Sequence, residues 1–277
     1  MSKDLKKRII TSLVLAPLVL FAIIMGGLWY FALVAVMAVA MAWEWERMIY
    51  RKFTGFGVGI AVAALAMLAY AMMFRNFIGS RMCAEGASGL CPFFAGVFVV
   101  VGLPLLMALV YYRLAKFKKK ANAGFIAAGV PYILLPVASL GLLGTDCYKH
   151  LVLFLFLTVW ATDVGGYAFG MTIRGPKFFP KISPKKTWAG VFGGIFLACL
   201  VGAWFGFFEG PVKFVLIGAV LAIAAIAGDL FESWVKRRLF IKDSSNLIPG
   251  HGGLFDRIDG LLFAAPVMLL IKMVVPF

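Results

Sequence analysis

The amino-acid sequence predicts an all-α polytopic membrane protein of about nine transmembrane helices with a cytoplasmic N-terminus. Of its 277 residues, 63% are hydrophobic and 14% are charged, whereas a soluble domain is about half apolar and a quarter charged. The hydrophobic residues are also gathered into long runs, and about 20 apolar residues suffice to cross a bilayer as a helix. This composition excludes a soluble globule, a disordered tail and a collagen-like rod.

Nine apolar stretches are predicted to span the membrane. They cover about residues 9–27, 28–43, 56–74, 92–112, 124–144, 150–170, 187–208, 212–235 and 260–276. A tight hairpin at Gly26 and Gly27 is expected between the first two. With the N-terminus inside, 22 of the 27 Lys and Arg residues fall on the cytoplasmic side. Because basic loops resist translocation, the formal net charge of +15 is mostly a topology signal, and we expect no nucleic-acid partner.

Polar and aromatic residues near the ends of the first spans are expected to have no role beyond those usual at a membrane surface. Glu44 and Glu46 follow the second span, where a solvated helix end is the simplest interpretation. Trp29, Tyr30, Trp43 and Trp45 lie where the aromatic belts of membrane proteins normally occur.

Cysteine usage gives little further information. Cys83 and Cys91 lie in or beside the second outer loop. An oxidising periplasm would allow them to pair. The sequence leaves open whether this disulfide forms.

Costly polar residues are concentrated in the second half of the chain. Asp163 lies inside the sixth predicted span, where a carboxylate needs a partner, a metal or a water-filled cavity. A loop with Ser183, Lys185, Lys186 and Thr187 then enters the seventh span. Since helix N-termini offer free N–H groups, this loop predicts an anion site. Ordinary positive-inside charge would explain the two lysines alone, but not the hydroxyl residues.

One face of the eighth predicted span carries five polar side chains. They recur at helical spacing, with the acids deeper and the bases toward the cytoplasm: Asp229, Glu232, Ser233, Lys236 and Arg237. Salt bridges between successive turns, or bases that reach the lipid headgroups, would explain Lys236 and Arg237. Neither interpretation explains Asp229.

A glycine-rich loop connects this helix to the last span. The segment contains Lys242, Asp243, His251, Gly252, Gly253, Asp256, Arg257 and Asp259. Asp256 and Asp259 are three residues apart, so a helical turn would direct both carboxylates the same way, as a Mg²⁺ site needs. Glycines let backbone N–H groups approach a phosphate, and His251 is expected to contact phosphate or substrate. Acids among bases at a membrane edge predict metal-assisted phosphoryl or nucleotidyl transfer.

The segment from Ser233 to Asp259 resembles the signature of the phosphatidate cytidylyltransferases, the bacterial CDP-diacylglycerol synthases. That signature reads Ser-x-apolar-Lys-Arg, four residues, Lys-Asp, a short gap and His-Gly-Gly-x-x-Asp-Arg-x-Asp. The residues that fit it are Ser233, Lys236, Arg237, Lys242, Asp243, His251, Gly252, Gly253, Asp256, Arg257 and Asp259. Upstream, 183–187 and 228–230 fit as well, whereas Ala189 departs from the expected acid or amide. The resemblance covers about residues 155–277.

The resemblance implies an activity, its cofactor and its site. CTP and phosphatidic acid would give CDP-diacylglycerol and pyrophosphate at the cytoplasmic face of a bacterial inner membrane, with Mg²⁺ as one ion or two. The implied metal ligands are Asp229, Asp256 and Asp259, with Asp163 as a further ligand. Lys236, Arg237 and Lys242 would join the three aspartates as catalytic residues. Substrate contacts would come from Ser183, Lys185, Lys186, Thr187, Ser233, Asp243, His251, Gly252, Gly253 and Arg257. We expect one integral membrane domain over 1–277, with a helical part over about 1–145 and a catalytic part over about 150–277.

Three other functions are weighed against this one. A CDP-alcohol phosphotransferase motif would share Asp256 to Gly260, but it continues through Ala-Arg to two further aspartates, and Phe263-Ala264 stands here instead. A lipid or polyprenol kinase of related architecture would have a similar site. An ion-coupled transporter would use Asp163 and Asp229 as relays, but transporters often show paired broken helices in two halves. The oligomeric state is left open, with a homodimer as one alternative.

Overall fold

The chain is an all-α polytopic membrane protein. A computed structural model describes residues 3–275 apart from 53, 83–100, 118–121, 145–147, 208–209, 249 and 251. These described residues form nine α-helices and one two-stranded sheet. Six of the helices are long and apolar enough to cross a membrane. Nine spans and a cytoplasmic N-terminus stay predictions, and Cys83, Cys91 and part of the fourth predicted span lie outside the described residues.

The chain divides into two compact units, Met1–Lys149 with Asp243–Phe255, and His150–Lys242 with Asp256–Phe277. The described helices of the first are α1 (Lys3–Met25), α2 (Gly27–Tyr50), α3 (Phe56–Met82), α4 (Leu103–Phe117) and α5 (Ala123–Leu143). Helix α2 packs against α1, α3 and α5. The predicted hairpin is confirmed, since Gly26 and Gly27 have φ values of 65° and 49°, which suit glycine best.

Helix α2 is longer than predicted, and this reverses the interpretation of its end. It continues past residue 43 to Tyr50 and stops where Arg51 adopts a left-handed conformation with φ 54°. The added turns bury Glu44, Trp45 and Glu46, whose exposed fractions are 0%, 0% and 2%. The prediction of a solvated helix end for Glu44 and Glu46 is therefore wrong.

Two of the predicted belt aromatics are also buried. The Tyr30 hydroxyl donates to the Leu140 carbonyl oxygen at 2.8 Å. The Trp45 Nε1–H donates to the Phe125 carbonyl oxygen at 3.2 Å. Because both polar tips bind backbone carbonyl oxygens of α5 rather than lipid headgroups, the aromatic-belt prediction is wrong for Tyr30 and Trp45.

The second unit combines four helices with a short hairpin. In chain order these are α6 (Lys149–Thr172), β1 (Lys177–Phe179), β2 (Ser183–Thr187), α7 (Trp188–Phe205), α8 (Pro211–Arg238) and α9 (Phe255–Val274). The first residues of α6 and α9 belong to the first unit. Strands β1 and β2 are antiparallel, with Lys177 opposite Thr187 and Phe179 opposite Ser183. The predicted loop at 183–187 is thus a strand that leads directly into α7.

Glycines bring the helices of the second unit close together. A Cβ atom on Gly165 of α6 would collide with the Gly193 carbonyl oxygen of α7. A Cβ atom on Gly218 of α8 would lie 2.7 Å from the Ala198 carbonyl oxygen of α7. Small residues at such interfaces let helix backbones pack closely within a membrane.

Two adjacent glycines allow a matched test of this packing. Gly165→Ala is expected to cost about 1–3 kcal/mol because α6 and α7 must separate. Gly166→Ala is expected to be neutral or slightly stabilising, because its Cβ would lie 3.7 Å from the nearest atom beyond its own stretch of helix backbone, the Gly190 oxygen, and alanine favours helix. Thermal unfolding in detergent measures both variants. Equal destabilisation of the two would contradict the close contact.

Candidate active site

A strand and a helix of the second unit place a lysine against an aspartate. Lys186 lies on β2 and Asp229 lies on α8, with 2.6 Å between Lys186 Nζ and Asp229 Oδ2. Both side chains are partly exposed, at 24% and 30%. Ser233, one turn along α8, donates its hydroxyl to Asp229 Oδ1 at 3.3 Å. The structure thus joins the predicted anion-binding segment to the polar face of α8.

Lys236 bridges two further acids. Its Nζ lies 3.1 Å from Glu232 Oε2 in α8 and 2.7 Å from Asp256 Oδ1 in α9. The Glu232 and Asp256 side chains are only 1% and 9% exposed. A buried carboxylate is costly unless a cation or hydrogen-bond donors accompany it. One ammonium group therefore compensates two buried carboxylates.

Two more acids share this electrostatic environment. Asp259 of α9 lies within electrostatic reach of three other acids of the unit, and its Oδ1 accepts the Gly260 N–H at 2.8 Å. Asp163 of α6 interacts electrostatically with Asp229, Lys186 and Arg257. The five carboxylates, termed the acidic cluster below, are Asp163, Asp229, Glu232, Asp256 and Asp259.

Glycines on both sides hold α8 and α9 together beside the acidic cluster. A Cβ atom on Gly228 would collide with the Asp259 carbonyl oxygen, and one on Gly260 would lie 3.2 Å from the Ala225 Cβ. Gly228 precedes Asp229, and Gly260 follows Asp259. The close approach of the α8 and α9 backbones therefore brings Asp229 and Asp259 near each other.

The acidic cluster suits a divalent cation by charge and by ligand type. Its five carboxylates exceed the nearby bases Lys186, Lys236 and Arg257, and carboxylate oxygens are preferred ligands of Mg²⁺. Lysines already pair with Asp229 and Asp256. In the described part of the chain no three acidic, His or Cys side chains converge closely enough to hold an ion. A bound Mg²⁺ would have to compete with the two lysines.

Other predicted site residues of the second unit either contact groups outside the acidic cluster or are at least partly exposed. Thr187 is buried and caps α7, because its Oγ1 accepts the Gly190 N–H at 3.1 Å. The exposed Arg237 donates from Nε to the Ile182 carbonyl oxygen at 3.4 Å. Lys185 and Lys242 are exposed, and Ser183 is half-buried. Their predicted contacts with substrate stay predictions.

The glycine-rich loop belongs by its contacts to the first unit. Asp243, Gly252 and Gly253 lie in the segment Asp243–Phe255, and His251 lies outside the described residues. Gly252 has a φ of 84°, and its carbonyl oxygen accepts the Ile248 N–H at 2.8 Å. This φ suits glycine best, and the hydrogen bond holds the Ile248 and Gly252 backbones together.

A carboxylate of α2 binds both ends of this loop. Glu44 Oε1 accepts the Ser245 hydroxyl at 2.5 Å and the Leu254 N–H at 2.8 Å. Glu44 Oε2 accepts the Ser244 hydroxyl at 3.2 Å and the Phe255 N–H at 2.8 Å. The side chain predicted to be solvated is thus fully enclosed by four donors.

Gly253 and the Phe255 ring, beside the Glu44 donors, are closely packed within the first unit. A Cβ atom on Gly253 would collide with Ser244 Oγ and lie 2.7 Å from Glu44 Oε1. The Phe255 ring stacks on Tyr132 at 5.6 Å and contacts Trp45 at 5.8 Å between ring centroids. Gly253, expected to favour phosphate approach, therefore has a packing requirement in the first unit as well.

The sequence is similar to known proteins of one family across nearly its whole length. The sequence model described as the cytidylyltransferase family matches residues 6–275. The chain belongs to the cytidylyltransferase family. It is similar to the phosphatidate cytidylyltransferase of Brucella suis biovar 1 (strain 1330), with 32% identity over 277 residues, 96% of this chain and 93% of that protein.

Two further relatives of this cytidylyltransferase have the same name. The phosphatidate cytidylyltransferase of Haemophilus influenzae is 31% identical over 280 residues, covering 95% of this chain and 96% of the relative. That of Rickettsia bellii is 37% identical over 159 residues, covering 53% and 69%. The chain is accordingly a nucleotidyltransferase.

The sequence does not single out two buried acids of this cytidylyltransferase, Glu232 and Glu44, as functional residues. Glu232 had a signal, since it lies on the polar face of α8 between Asp229 and Lys236. Its burial follows only from the packing of the second unit. Glu44 had no signal, because a glutamate beside Trp43 and Arg47 at the end of an apolar run is typical of a solvated helix end.

Proposed function

We propose that this cytidylyltransferase converts CTP and phosphatidic acid to CDP-diacylglycerol and pyrophosphate, a step of phospholipid biosynthesis. The observation that carries the proposal is the pairing of Lys186 with Asp229 and of Lys236 with Asp256 at one edge of the second unit. Carboxylates for a metal and ammonium groups for phosphates are thereby adjacent, as phosphoryl and nucleotidyl transfer require. The names of the relatives support the same reaction.

The proposed reaction needs little acid–base chemistry from the protein. A phosphate oxygen of the lipid attacks the α-phosphorus of CTP and forms a new P–O bond. The bond from the α-phosphorus to the oxygen that bridges it to the β-phosphorus breaks, and pyrophosphate leaves with the electron pair. Because the lipid phosphate is already anionic at neutral pH, no strong general base is needed.

Mg²⁺ is the proposed cofactor, held by Asp229, Asp256 and Asp259, with Asp163 as a further ligand. When bound, it would neutralise phosphate charge and orient the triphosphate. Lys186 and Lys236 would exchange their carboxylate partners for phosphate oxygens as the nucleotide binds. Further proposed contacts come from Ser183, Lys185, Thr187, Ser233, Arg237, Lys242, Asp243, His251, Gly252, Gly253 and Arg257.

The proposed location is the bacterial inner membrane, with the site facing the cytoplasm. The distribution of Lys and Arg supports this orientation, and the relatives are bacterial. CTP would then enter from the aqueous side and phosphatidic acid from the inner leaflet. The basic residues would serve topology, nucleotide and lipid phosphate rather than nucleic acid.

A pyrophosphate-release assay on purified protein in mixed micelles tests the activity. We expect release only when CTP, Mg²⁺ and phosphatidic acid are all present. Diacylglycerol is the matched control lipid, because it lacks the attacking phosphate and should give no product. Formation of ADP and a phosphorylated lipid from ATP and diacylglycerol, with no product from CTP and phosphatidic acid, would contradict the proposal.

A further inference from the structure

We infer that Glu44 is a positioning residue for this reaction, because it clamps both ends of the glycine-rich loop and fixes the start of α9. The inference rests on the proposed function for what the loop does. It rests on the structure of the first unit for how the loop is held.

Burial makes the Glu44 contacts obligatory. The residue is 0% exposed, and a carboxylate removed from water is costly unless donors replace its hydration. All four donors come from one segment about two hundred residues later in the chain. The buried carboxylate and the path of the loop therefore depend on each other.

The same carboxylate caps α9 from outside that helix. The first N–H groups of a helix have no acceptor within it, and a Ser, Thr, Asp or Asn at the N-cap usually supplies one. Leu254 and Phe255 have no such side-chain oxygen, and Glu44 accepts both of their N–H groups. A negative charge at this end also interacts favourably with the helix dipole. Glu44 thus determines where α9 begins.

The loop held in this way contains three residues of the signature. Glu44 binds Ser244 and Ser245 at its start and Leu254 and Phe255 at its end. Between them lie His251, Gly252 and Gly253, and Asp256 follows Phe255 directly. A shift of about 1 Å in positioning groups can cost about 10²-fold in rate. Loss of the clamp should therefore affect catalysis without removing any group that touches substrate.

Glu44→Gln is a sharp test because the donors are divided between the two oxygens. Each oxygen accepts one hydroxyl and one backbone N–H. A serine hydroxyl can reverse and accept a hydrogen bond, but a backbone N–H cannot. In either orientation, the glutamine NH₂ group would face the N–H of Leu254 or Phe255. One end of the helix cap is lost whichever way the amide turns.

Glu46→Gln is the matched control on the same helix. Glu46 is 2% exposed. The Thr54 N–H, the Thr54 hydroxyl and the Phe56 N–H all donate to its Oε1. A glutamine oxygen can keep these three hydrogen bonds. The two variants therefore remove the same charge two residues apart, but only one breaks a cap.

Steady-state kinetics distinguish positioning from simple loss of fold. For Glu44→Gln we expect kcat/KM for CTP to fall by about 10–100-fold and the Mg²⁺ concentration for half-maximal rate to rise. KM for phosphatidic acid should match that of Glu46→Gln, which should behave as wild type, and the detergent melting temperature of Glu44→Gln should fall by only about 2–4 °C because one cap hydrogen bond is lost. Unchanged kinetics would overturn the inference. The inference would also be overturned if the lower melting temperature of the variant fully explained its loss of rate while the Mg²⁺ requirement stayed unchanged.

Amide hydrogen exchange tests the clamp without any substrate. Exchange at Leu254 and Phe255 should be faster in Glu44→Gln than in wild type or Glu46→Gln. If wild type fails the CTP assay while this difference holds, the proposed function is wrong and the clamp stands. If exchange is unchanged, the clamp is wrong whatever the activity. Should Glu44→Gln not fold, the double variant Ser244→Ala with Ser245→Ala removes two donors and should shift exchange in the same direction.

Discussion

Asp259→Asn is expected to lower CMP transfer by about three orders of magnitude and leave the protein folded. This loss corresponds to about 4 kcal/mol of transition-state stabilisation, the size expected when a metal-assisted site loses a charged ligand. Asparagine keeps the shape of the side chain. Its oxygen can still accept the Gly260 N–H, which lies 2.8 Å from Asp259 Oδ1. The substitution therefore removes charge from the acidic cluster and little else.

The control for this prediction is again Glu46→Gln, which removes a buried charge in the first unit. We expect that variant to keep most of the wild-type rate. Initial rates of pyrophosphate release at several Mg²⁺ concentrations compare the two. Near-normal turnover by Asp259→Asn would show that the metal assignment is wrong even though the family is right.

Lys236→Met is expected to destabilise the protein by about 3–5 kcal/mol, the usual cost of leaving a buried charge without its partner. Methionine keeps most of the aliphatic stem but removes the ammonium group. Glu232 and Asp256 lie 3.1 and 2.7 Å from Lys236 Nζ, and both carboxylates would lose this cation. Activity should be lost as well, since the proposed phosphate contact disappears.

A second substitution separates these two effects. Adding Glu232→Gln to Lys236→Met removes one of the two carboxylate charges, so part of the stability should return while activity stays absent. Arg238→Met is the surface control, because Arg238 is an exposed base on the same helix that lies over Trp234. Its expected cost is at most about 1 kcal/mol. Chemical or thermal unfolding in detergent measures all three, and equal losses from Lys236→Met and Arg238→Met would contradict a buried bridge.

The polar face of α8 shows what local patterns can predict. Asp229, Ser233 and Lys236 recur at helical spacing, so their common face follows from the period of the helix. The structure confirms that Ser233 binds Asp229. The partner of each charge does not follow from spacing. That Lys186 binds Asp229 and Lys236 binds Asp256 depends on how β2 and α9 pack on α8.

Glu44 shows why the rest could not be predicted. Its local surroundings are those of an ordinary helix end, and its donors Leu254 and Phe255 are about 210 residues away. A backbone N–H that will bind Glu44 cannot be recognised in a sequence, because every residue except proline has such a group. The sequence predicts a phosphate contact for the signature glycine Gly253, whereas its close approach to Glu44 depends on tertiary structure.

Radiolabel partition from CTP tests most directly that the site transfers CMP to a phosphorylated lipid. Purified protein is incubated with Mg²⁺, phosphatidic acid and CTP labelled at either the α- or the γ-phosphorus, and the lipid is then extracted. We predict that α-label enters the lipid, that γ-label appears in pyrophosphate, and that Asp259→Asn lowers both by about three orders of magnitude. Transfer of γ-label to the lipid, or no α-label in the lipid, would contradict the proposed reaction.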